Sequence, residues 1–331
     1  MNTVNLNMST TTQTSAPSHT LLNRSAWTLR WRDRRQSKEL AEQICSNADA
    51  ASHADPSHIG LALRTLAWHL NWTGRSHDSI ALAQKADRAL IEAHSQTARI
   101  DIYTTLSSLF LSQEKPKQAH QCHEIAVSLL SEQTPDDTHA CHLASHAILL
   151  FSENNRNGAL DKLYEARTRA HGPEVALIQT YIANAYCQGQ NTDLALEAAE
   201  FAHALARHHR NEVVQPYIQN VLGKSWLQSQ NLKEAETALR KGMRLADHDG
   251  DQRAKCHLLQ SQGLLALKQG RNSLALRRLK QGKRLAVSLN YPHWQIQFLK
   301  LLGSEHEKLG EDRSAMLAYK EILRIKRLLC D

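Results

Sequence analysis

Apolar residues recur at helical spacing on both sides of short polar breaks along most of the chain. Around one break the pattern is carried by Leu264, Leu265, Leu267, Leu274, Leu276 and Leu279. Seven breaks of this kind occur: Gly74-Arg75, Glu114-Lys115-Pro116, Asn154-Asn155, Gln190-Asn191, Gln230-Asn231, Gly270-Arg271 and Gly310-Glu311. Each break carries turn-forming residues, so the pattern predicts a series of hairpins built as helix, tight turn, helix.

Small residues mark the same positions in each predicted hairpin. The first marker recurs at steps of 40 residues, with one step of 36, as Ala67, Ser107, Ala147, Ala183, Gly223, Gly263 and Gly303. Markers 12 and 19 residues further on complete a set of 21 positions, of which all but Ile322 are Ala, Gly or Ser. Small residues let crossing helices approach closely. The sequence therefore predicts an all-α protein, a right-handed superhelix of stacked antiparallel helical hairpins.

The spacing of these markers resembles the tetratricopeptide repeat. The fifth repeat carries the family's pattern as Gly223, Trp226, Gln230, Ala235, Leu239 and Gly242. The period of 40 exceeds the family's usual length of about 34 residues, and the proline that usually closes each repeat is missing. The resemblance predicts seven repeats in residues 58–331, preceded by a divergent helical hairpin in residues 21–57.

The resemblance also implies a concave groove lined by the first helix of each repeat. Carried over by position, the residues facing the groove are Arg64, Trp68, Asn71, Thr104, Ser108, Asn184, Tyr217, Asn220, Lys224, His257, Gln260 and Lys300. Amides can hold an extended peptide backbone, and Lys or His can hold a carboxylate. We therefore expect a protein or peptide ligand in the groove, held above all by Asn184, Tyr217, Asn220 and Lys224.

A second resemblance concerns the stretch from Ser25 to Trp31 and the following Glu39 to Glu42. It is similar to the start of longer-period helical-repeat sensor modules in bacterial signalling proteins. That resemblance implies a regulatory or scaffolding role, with any output domain elsewhere. The polar residues 1–20 contain no Lys, Arg, Asp or Glu, and they predict a disordered tail on a cytoplasmic protein.

Charge is unevenly distributed along the chain. The net charge is +7, but residues 213–331 carry 21 Lys and Arg against 11 Asp and Glu. Residues 252–304 contain ten basic residues and no acidic one, including the predicted basic face Arg277, Arg278, Lys280, Lys283 and Arg284. Such a face indicates either a solvated outer surface or an alternative function, a nucleic-acid-binding or nucleotide-responsive regulator.

Other chemistry is weakly supported by the sequence. His142 and His146 have the i, i+4 spacing of metal ligands, but ordinary surface histidines are the favoured interpretation. Gly223-Lys224-Ser225 lacks the earlier glycine of a phosphate-binding loop, and the six cysteines show no metal or disulfide spacing. The sequence predicts no catalytic residues, no metal, no cofactor and no enzymatic activity. A catalytic set assembled only in space stays open.

The apolar segments of the chain bear on membrane contact and on self-association. No apolar run is long enough to cross a bilayer, and the mean hydropathy is −0.50. Repeat arrays usually end in a polar capping helix, but this chain ends with Ile322, Leu323, Ile325, Leu328 and Leu329. We therefore expect no membrane contact, and self-association through the uncapped last helix.

Overall fold

The fold is seen in a computed structural model that describes residues 18–50 and 55–330. Within those residues the chain forms sixteen α-helices and no strand. They are α1 (His19–Leu29), α2 (Arg34–Ala50), α3 (Pro56–Trp72), α4 (Ser76–Glu92), α5 (Gln96–Ser112), α6 (Pro116–Leu129), α7 (Asp136–Ser152), α8 (Arg156–Arg169), α9 (Glu174–Gln188), α10 (Thr192–His208), α11 (Gln215–Gln228), α12 (Leu232–His248), α13 (Gln252–Lys268), α14 (Asn272–Ser288), α15 (Pro292–Lys308) and α16 (Asp312–Cys330).

Every predicted break is a tight turn between two antiparallel helices. The turn residues have left-handed φ angles, between 56° and 85°: Gly74, Glu114, Asn154, Gln190, Gln230, Gly270 and Gly310. At the first turn, the N–H of Arg75 donates to the carbonyl of Leu70 at 2.9 Å, and the other turns repeat this bond. The bond satisfies a carbonyl at the end of the first helix and reverses the chain within three residues.

The small-residue markers lie where helices cross. A Cβ added at Gly263 would lie 2.6 Å from Leu279, and one added at Gly223 would lie 2.5 Å from Leu239. Ala67, Ala147 and Ala183, which occupy the same position in other hairpins, are all buried. Larger side chains at these crossings would force the helices apart. The predicted all-α solenoid of stacked antiparallel hairpins is confirmed.

The superhelix turns far enough for its early and late hairpins to touch. The Nδ1 atom of His293 lies 2.5 Å from Oε1 of Glu114, and the Gln113 amide donates to the carbonyl of Asn290 at 3.0 Å. These contacts join the turn between α5 and α6 to the start of α15. We call this contact, between residues 113–114 and 290–293, the closing seam.

The first two residues after α1, Arg30 and Trp31, are buried inside the superhelix. Arg30 forms an ion pair of 2.6 Å with Glu174 at the start of α9, and the carbonyl of Trp31 accepts the N–H of Glu212 at 2.9 Å. Arg34 lies 3.4 Å from Asp251, which precedes α13. We call residues 27–34 the N-terminal corner. Because this corner reaches across to the fourth, fifth and sixth repeats, the concave side is a partly filled interior and not an open groove.

The predicted domain limits relate to the helices as follows. Most of the predicted tail, residues 1–17, lies outside the described residues, as do residues 51–54. Helix α1 begins at His19, inside the segment predicted as tail, because Ser18 caps its first turn. Helix α3 begins at Pro56, with Asp55 as its cap, two residues before the predicted start of the repeats. The division into one divergent hairpin and seven repeats stays a prediction.

Candidate binding chamber

The interior of the superhelix holds a narrow chamber with a wider mouth. The inner chamber has a volume of about 80 Å³, which is room for a handful of water molecules. The mouth, of about 500 Å³, opens beside α1 and shares Trp27, Arg30, Trp31, Asp101 and Cys141 with the inner chamber. Side chains of α1, α3, α5, α7 and α9 therefore surround one continuous space.

Tryptophans form one wall of the chamber. The Trp31 ring packs edge to face against Trp68 at 4.9 Å, and Trp68 packs against Trp72 at 5.6 Å between ring centroids. Trp72 in turn packs against Tyr217 at 5.3 Å. Trp31, Trp68 and Trp72 are all buried. Aromatic pairs in these arrangements add to the free energy of burial, so the wall is rigid and pre-formed.

Two arginines enclose a fourth tryptophan at the mouth. The guanidinium carbon of Arg30 lies 3.8 Å from the Trp27 ring centroid, and that of Arg64 lies 3.7 Å from it. Cation–π attraction of this kind is strongest where water is excluded. Trp27 thus contacts both guanidinium groups at the mouth.

The arginines are paired with buried carboxylates. Arg64 donates to Asp101 at 2.9 Å, while Arg30 and the Trp31 indole donate to Glu174 at 2.6 and 2.7 Å. Burial raises the pKa of Asp101 and lowers the pKa of Arg64 to about 10, although each partner opposes the shift. Buried pairs of this kind lose much stability when one partner is removed.

The chamber keeps polar groups that the protein does not satisfy. Thr104 Oγ1, Arg64 Nε and Arg30 Nε are buried and have no hydrogen-bond partner within the described part of the chain. The charged residues that line the inner chamber are Arg30, Arg253 and Asp101, which leaves one excess positive charge. Buried unsatisfied donors are rare in native proteins, and they favour a polar, anionic partner here.

Solved structures with the same architecture are known. A Rap protein complexed with competence and sporulation factor superposes with a TM-score of 0.60 over 94% of this chain and 98% of that one, at 13% identity. Aspartyl phosphate phosphatase F from Bacillus subtilis gives 0.59 over 95% and 96%, at 11% identity. The apo form of RapI gives 0.56 over 80% and 96%, at 13% identity. This chain has a tetratricopeptide-repeat (TPR) fold.

Comparison of the sequence with known families and curated proteins finds no relative of this TPR array. No family model matches the chain, and no curated protein matches it in sequence. At identities of 11–13% the structural likeness shows the fold alone. Since one fold hosts many functions, the TPR architecture does not carry the activity of those proteins over to this chain.

Five of the predicted groove residues lie together in the TPR interior. Trp68, Asn71, Thr104 and Ser108 line the inner chamber, and Arg64 lines its mouth. Asn71 also accepts a long hydrogen bond from Arg253, at 3.4 Å.

The other predicted groove residues lie elsewhere. The Tyr217 hydroxyl donates to the Asp251 carboxylate at 3.2 Å, and Asn220 is buried and accepts from Ser261 at 2.7 Å. The remaining five do not line the chamber. His257 packs between Tyr217 and Trp294, Lys224 lines a separate pocket of about 620 Å³, Asn184 and Gln260 are half-buried, and Lys300 is exposed. Burial lowers the pKa of His257 well below its usual range.

Several chamber residues were not predicted as site residues. The resemblance nominates only first helices of the repeats, so it could not place Trp27, Arg30 or Trp31 of the N-terminal hairpin in the groove. A usable signal was present, because two of the chain's six tryptophans, together with Arg30, fall within residues 27–31. Asp101 and Arg253 carry no local signal, since their role depends on partners distant in sequence.

The predicted basic face lies on the outer surface of the TPR array. Arg277, Lys280 and Arg284 are exposed, and Arg278 is half-buried with a 3.2 Å hydrogen bond to Gln281. Lys283 is paired with Glu321 of α16 at 2.6 Å. The face therefore consists of three exposed cations without a side-chain partner in the described chain and two cations that are bound by Gln281 and Glu321.

The predicted histidine spacing produces a stack between α6 and α7. The His123 ring lies parallel to His142 at 4.8 Å and 4.1 Å from His146, centroid to centroid. Rings stacked face to face do not direct their nitrogens at one point, and among the described residues no group of three His, Cys, Asp or Glu side chains could hold a metal ion. Burial lowers the pKa of His123 to about 4 and of His142 to about 3.

Across residues 18–50 and 55–330, no helix combines the length and apolar character that a membrane span needs.

Proposed function

We propose that the chain is a non-enzymatic regulatory binding module that holds an extended peptide segment bearing a carboxylate in the mouth of the TPR chamber. The observation that carries this proposal is the arrangement of Arg30 and Arg64 on either side of Trp27, with an unpartnered Nε on each arginine. The role is binding, because the described chamber presents fixed donors and an aromatic wall.

The size of the mouth suits such a ligand. Ligand pockets are typically about 300–1,000 Å³ in volume, and the mouth has about 500 Å³. The inner chamber of about 80 Å³ is too narrow for a peptide backbone, so the backbone would stay in the mouth.

The chemistry of the mouth favours a carboxylate. Arginine guanidinium groups bind carboxylates through parallel hydrogen bonds, and both Arg30 and Arg64 are held against the Trp27 ring. Arg24, which is exposed at the rim, has no side-chain partner in the described chain and adds a further donor. The tryptophan wall provides apolar contact for a neighbouring side chain of the ligand.

Similar folds support the proposal without deciding it. One of the solved structures is a Rap protein complexed with competence and sporulation factor, so a protein with an array of this shape forms a complex in that case. Another is an aspartyl phosphate phosphatase, so the fold by itself does not separate binding from catalysis.

Tryptophan fluorescence gives a direct test. Four of the six tryptophans, Trp27, Trp31, Trp68 and Trp72, lie at the chamber, so a ligand there should change the emission. Peptides selected from a random display library against the full chain would be titrated against the wild type. We expect selected peptides to share a carboxylate and to alter the fluorescence in a saturable way.

Two variants locate the binding site, each with a matched control. We expect Arg24→Gln and Thr104→Val to weaken binding about tenfold or more, the loss typical of a hydrogen bond to a charged group. Arg313→Gln and Thr237→Val change the same residue types on exposed helix surfaces and should leave binding unchanged. The proposal would be contradicted if neither Arg24→Gln nor Thr104→Val lowered the affinity for the selected peptides. It would also be contradicted if the selected peptides carried no carboxylate.

A second candidate function rests on the basic face. Arg277, Lys280 and Arg284 are exposed in a segment without acidic residues, and such a stripe can bind nucleic acid through phosphates. A pull-down with and without nuclease, at low and raised salt, separates the candidates. Partners lost with nuclease and salt favour the basic face, whereas partners that persist and compete with a chamber-binding peptide favour the chamber.

A further inference from the structure

The outer surface carries a groove between α14 and α16 that the proposed function does not use. It has a volume of about 540 Å³, and its lining includes Lys280, Arg284, Val287, Leu302 and Leu317. We call it the outer groove. Leu302 forms part of its buried floor, while Val287 and Leu317 stand on its walls with 52% and 57% of their surface exposed.

The walls of the outer groove are basic. Lys280, Arg284 and Val287 follow one another at i, i+4 and i+7 along α14, so they lie on one stripe of that helix. The described chain gives Lys280 and Arg284 no side-chain partner. The one acidic residue in the groove, Glu321, is already paired with Lys283 at 2.6 Å. The groove thus combines an apolar floor with unneutralised positive charge.

The outer face of α10 has the opposite character. Asp193, Glu197 and Glu200 are exposed on it, and no described basic side chain pairs with any of them. Leu194 and Phe201 lie on the same face, 45% and 47% exposed. No Lys or Arg occurs between Thr192 and Ala206, so this face is apolar and acidic over four turns.

These two surfaces match in charge and in apolar character. We propose that the outer groove of one molecule binds the α10 face of a second copy of this chain. Leu194 and Phe201 would contact Val287 and Leu317, while Glu197 and Glu200 would neutralise Lys280 and Arg284. The two surfaces are different patches, so the contact is head to tail and builds a ring or an open chain of copies.

Charge argues against other occupants of the groove. The exposed end of α16 carries Leu323 and Leu328 but also Arg324, Lys326 and Arg327, and it would be repelled by the basic walls. Nucleic acid would neutralise Lys280 and Arg284 but would leave Val287 and Leu317 against phosphate and water. The α10 face would both neutralise the basic residues of the groove and cover its exposed apolar side chains.

The association should be weak and sensitive to salt. One helix face in one groove forms a small interface, and interfaces below about 1,200 Å² in total are typical of transient contacts. Complementary surface charges act over a Debye length of about 10 Å at 0.1 M salt. We expect the weight-average mass of the purified full chain to rise with concentration at low salt and to fall towards the monomer as salt is raised.

Charge reversal provides the decisive test by analytical ultracentrifugation. Lys280→Glu with Arg284→Glu, and separately Glu197→Lys with Glu200→Lys, should each abolish self-association because like charges then face each other. Mixing the two variants, or combining all four changes in one chain, should restore it. Circular dichroism confirms that each variant is folded, as expected for exposed positions.

Three results would overturn the proposal. The first is a wild-type chain that stays monomeric at all concentrations at low salt. The second is failure of the mixed charge-reversed variants to associate. The third is loss of association in the control Leu328→Glu but not in Phe201→Glu, which would place the contact at the end of α16 instead.

Discussion

Two side-chain contacts join distant segments across the superhelix. They have nearly the same length but differ in burial. At the N-terminal corner, Arg30 and Glu174 are 2.6 Å apart, and 8% and 6% of their side-chain surfaces are exposed. At the closing seam, His293 and Glu114 are 2.5 Å apart, but 43% and 35% are exposed. Because water screens the second pair and not the first, only the corner should be a major determinant of stability.

The largest expected effect is at the corner. Glu174→Ala leaves Arg30 and the Trp31 indole without their buried acceptor, and breaking a buried pair in this way costs about 3–5 kcal/mol. The free energy of unfolding from urea titration measures the loss. Glu197→Ala, an exposed glutamate without a basic partner, is the control and should change it by less than about 0.5 kcal/mol. Equal effects of the two substitutions would refute the contrast.

The next effect comes from the second ion pair of the corner. Arg34→Gln removes the cation beside Asp251, whose side chain is fully buried, and should cost about 1–3 kcal/mol. Asp251 keeps the Tyr217 hydroxyl and the Ala254 N–H, so the loss is smaller than at Glu174. The neighbouring Arg35→Gln is the control, because the Arg35 pair with Glu39 is exposed.

Acid should destabilise the folded chain through its buried histidines, among them those of the histidine stack. Burial lowers the pKa of His142 to about 3 in the folded chain, against about 6.5 when unfolded. The unfolded chain therefore binds more protons between these values, so stability is full above pH 6.5 and falls as the pH drops. For one proton the slope approaches about 1.4 kcal/mol per pH unit. His142→Gln should flatten the dependence of unfolding free energy on pH between 6 and 5, whereas an unchanged slope would contradict this.

The smallest effect belongs to the closing seam. Glu114→Gln removes the carboxylate that contacts His293 and should cost about 0.2–1 kcal/mol, the range found for exposed pairs. The same urea titration measures it. A loss as large as that of Glu174→Ala would mean that the N-terminal corner and the closing seam contribute equally to stability. Burial would then make no difference between the two contacts.

The sequence predicts the repeating parts of this molecule well. The small residues at Gly223 and Gly263 indicate helix crossings because a close approach permits no larger side chain, and the structure has those crossings. The turn signal at Asn154 is predictable for the same local reason, since asparagine tolerates a left-handed φ. Features set by neighbouring residues can be read from one segment of sequence.

The chamber could be predicted only in part. Trp68 and Asn71 were found from their repeat position, but Arg30 and Glu174 are 144 residues apart, and nothing local marks them as partners. Asn220 was expected to face a ligand, yet it accepts a hydrogen bond from Ser261 of the next repeat. Where the superhelix folds back on itself, the side-chain environment depends on distant segments and not on repeat position.

Native-state hydrogen exchange tests the central claim, that the N-terminal corner is an integral wall of the chamber. The amides of residues 26–31, which span the end of α1 and the start of the N-terminal corner, are compared with those of α9 and α11 under the same conditions. If the corner is part of the same cooperative unit, its amides should open with a free energy close to that of α9 and α11. Opening of α1 at several kcal/mol less than α9 and α11 would show that the corner detaches on its own, and the claim would be wrong.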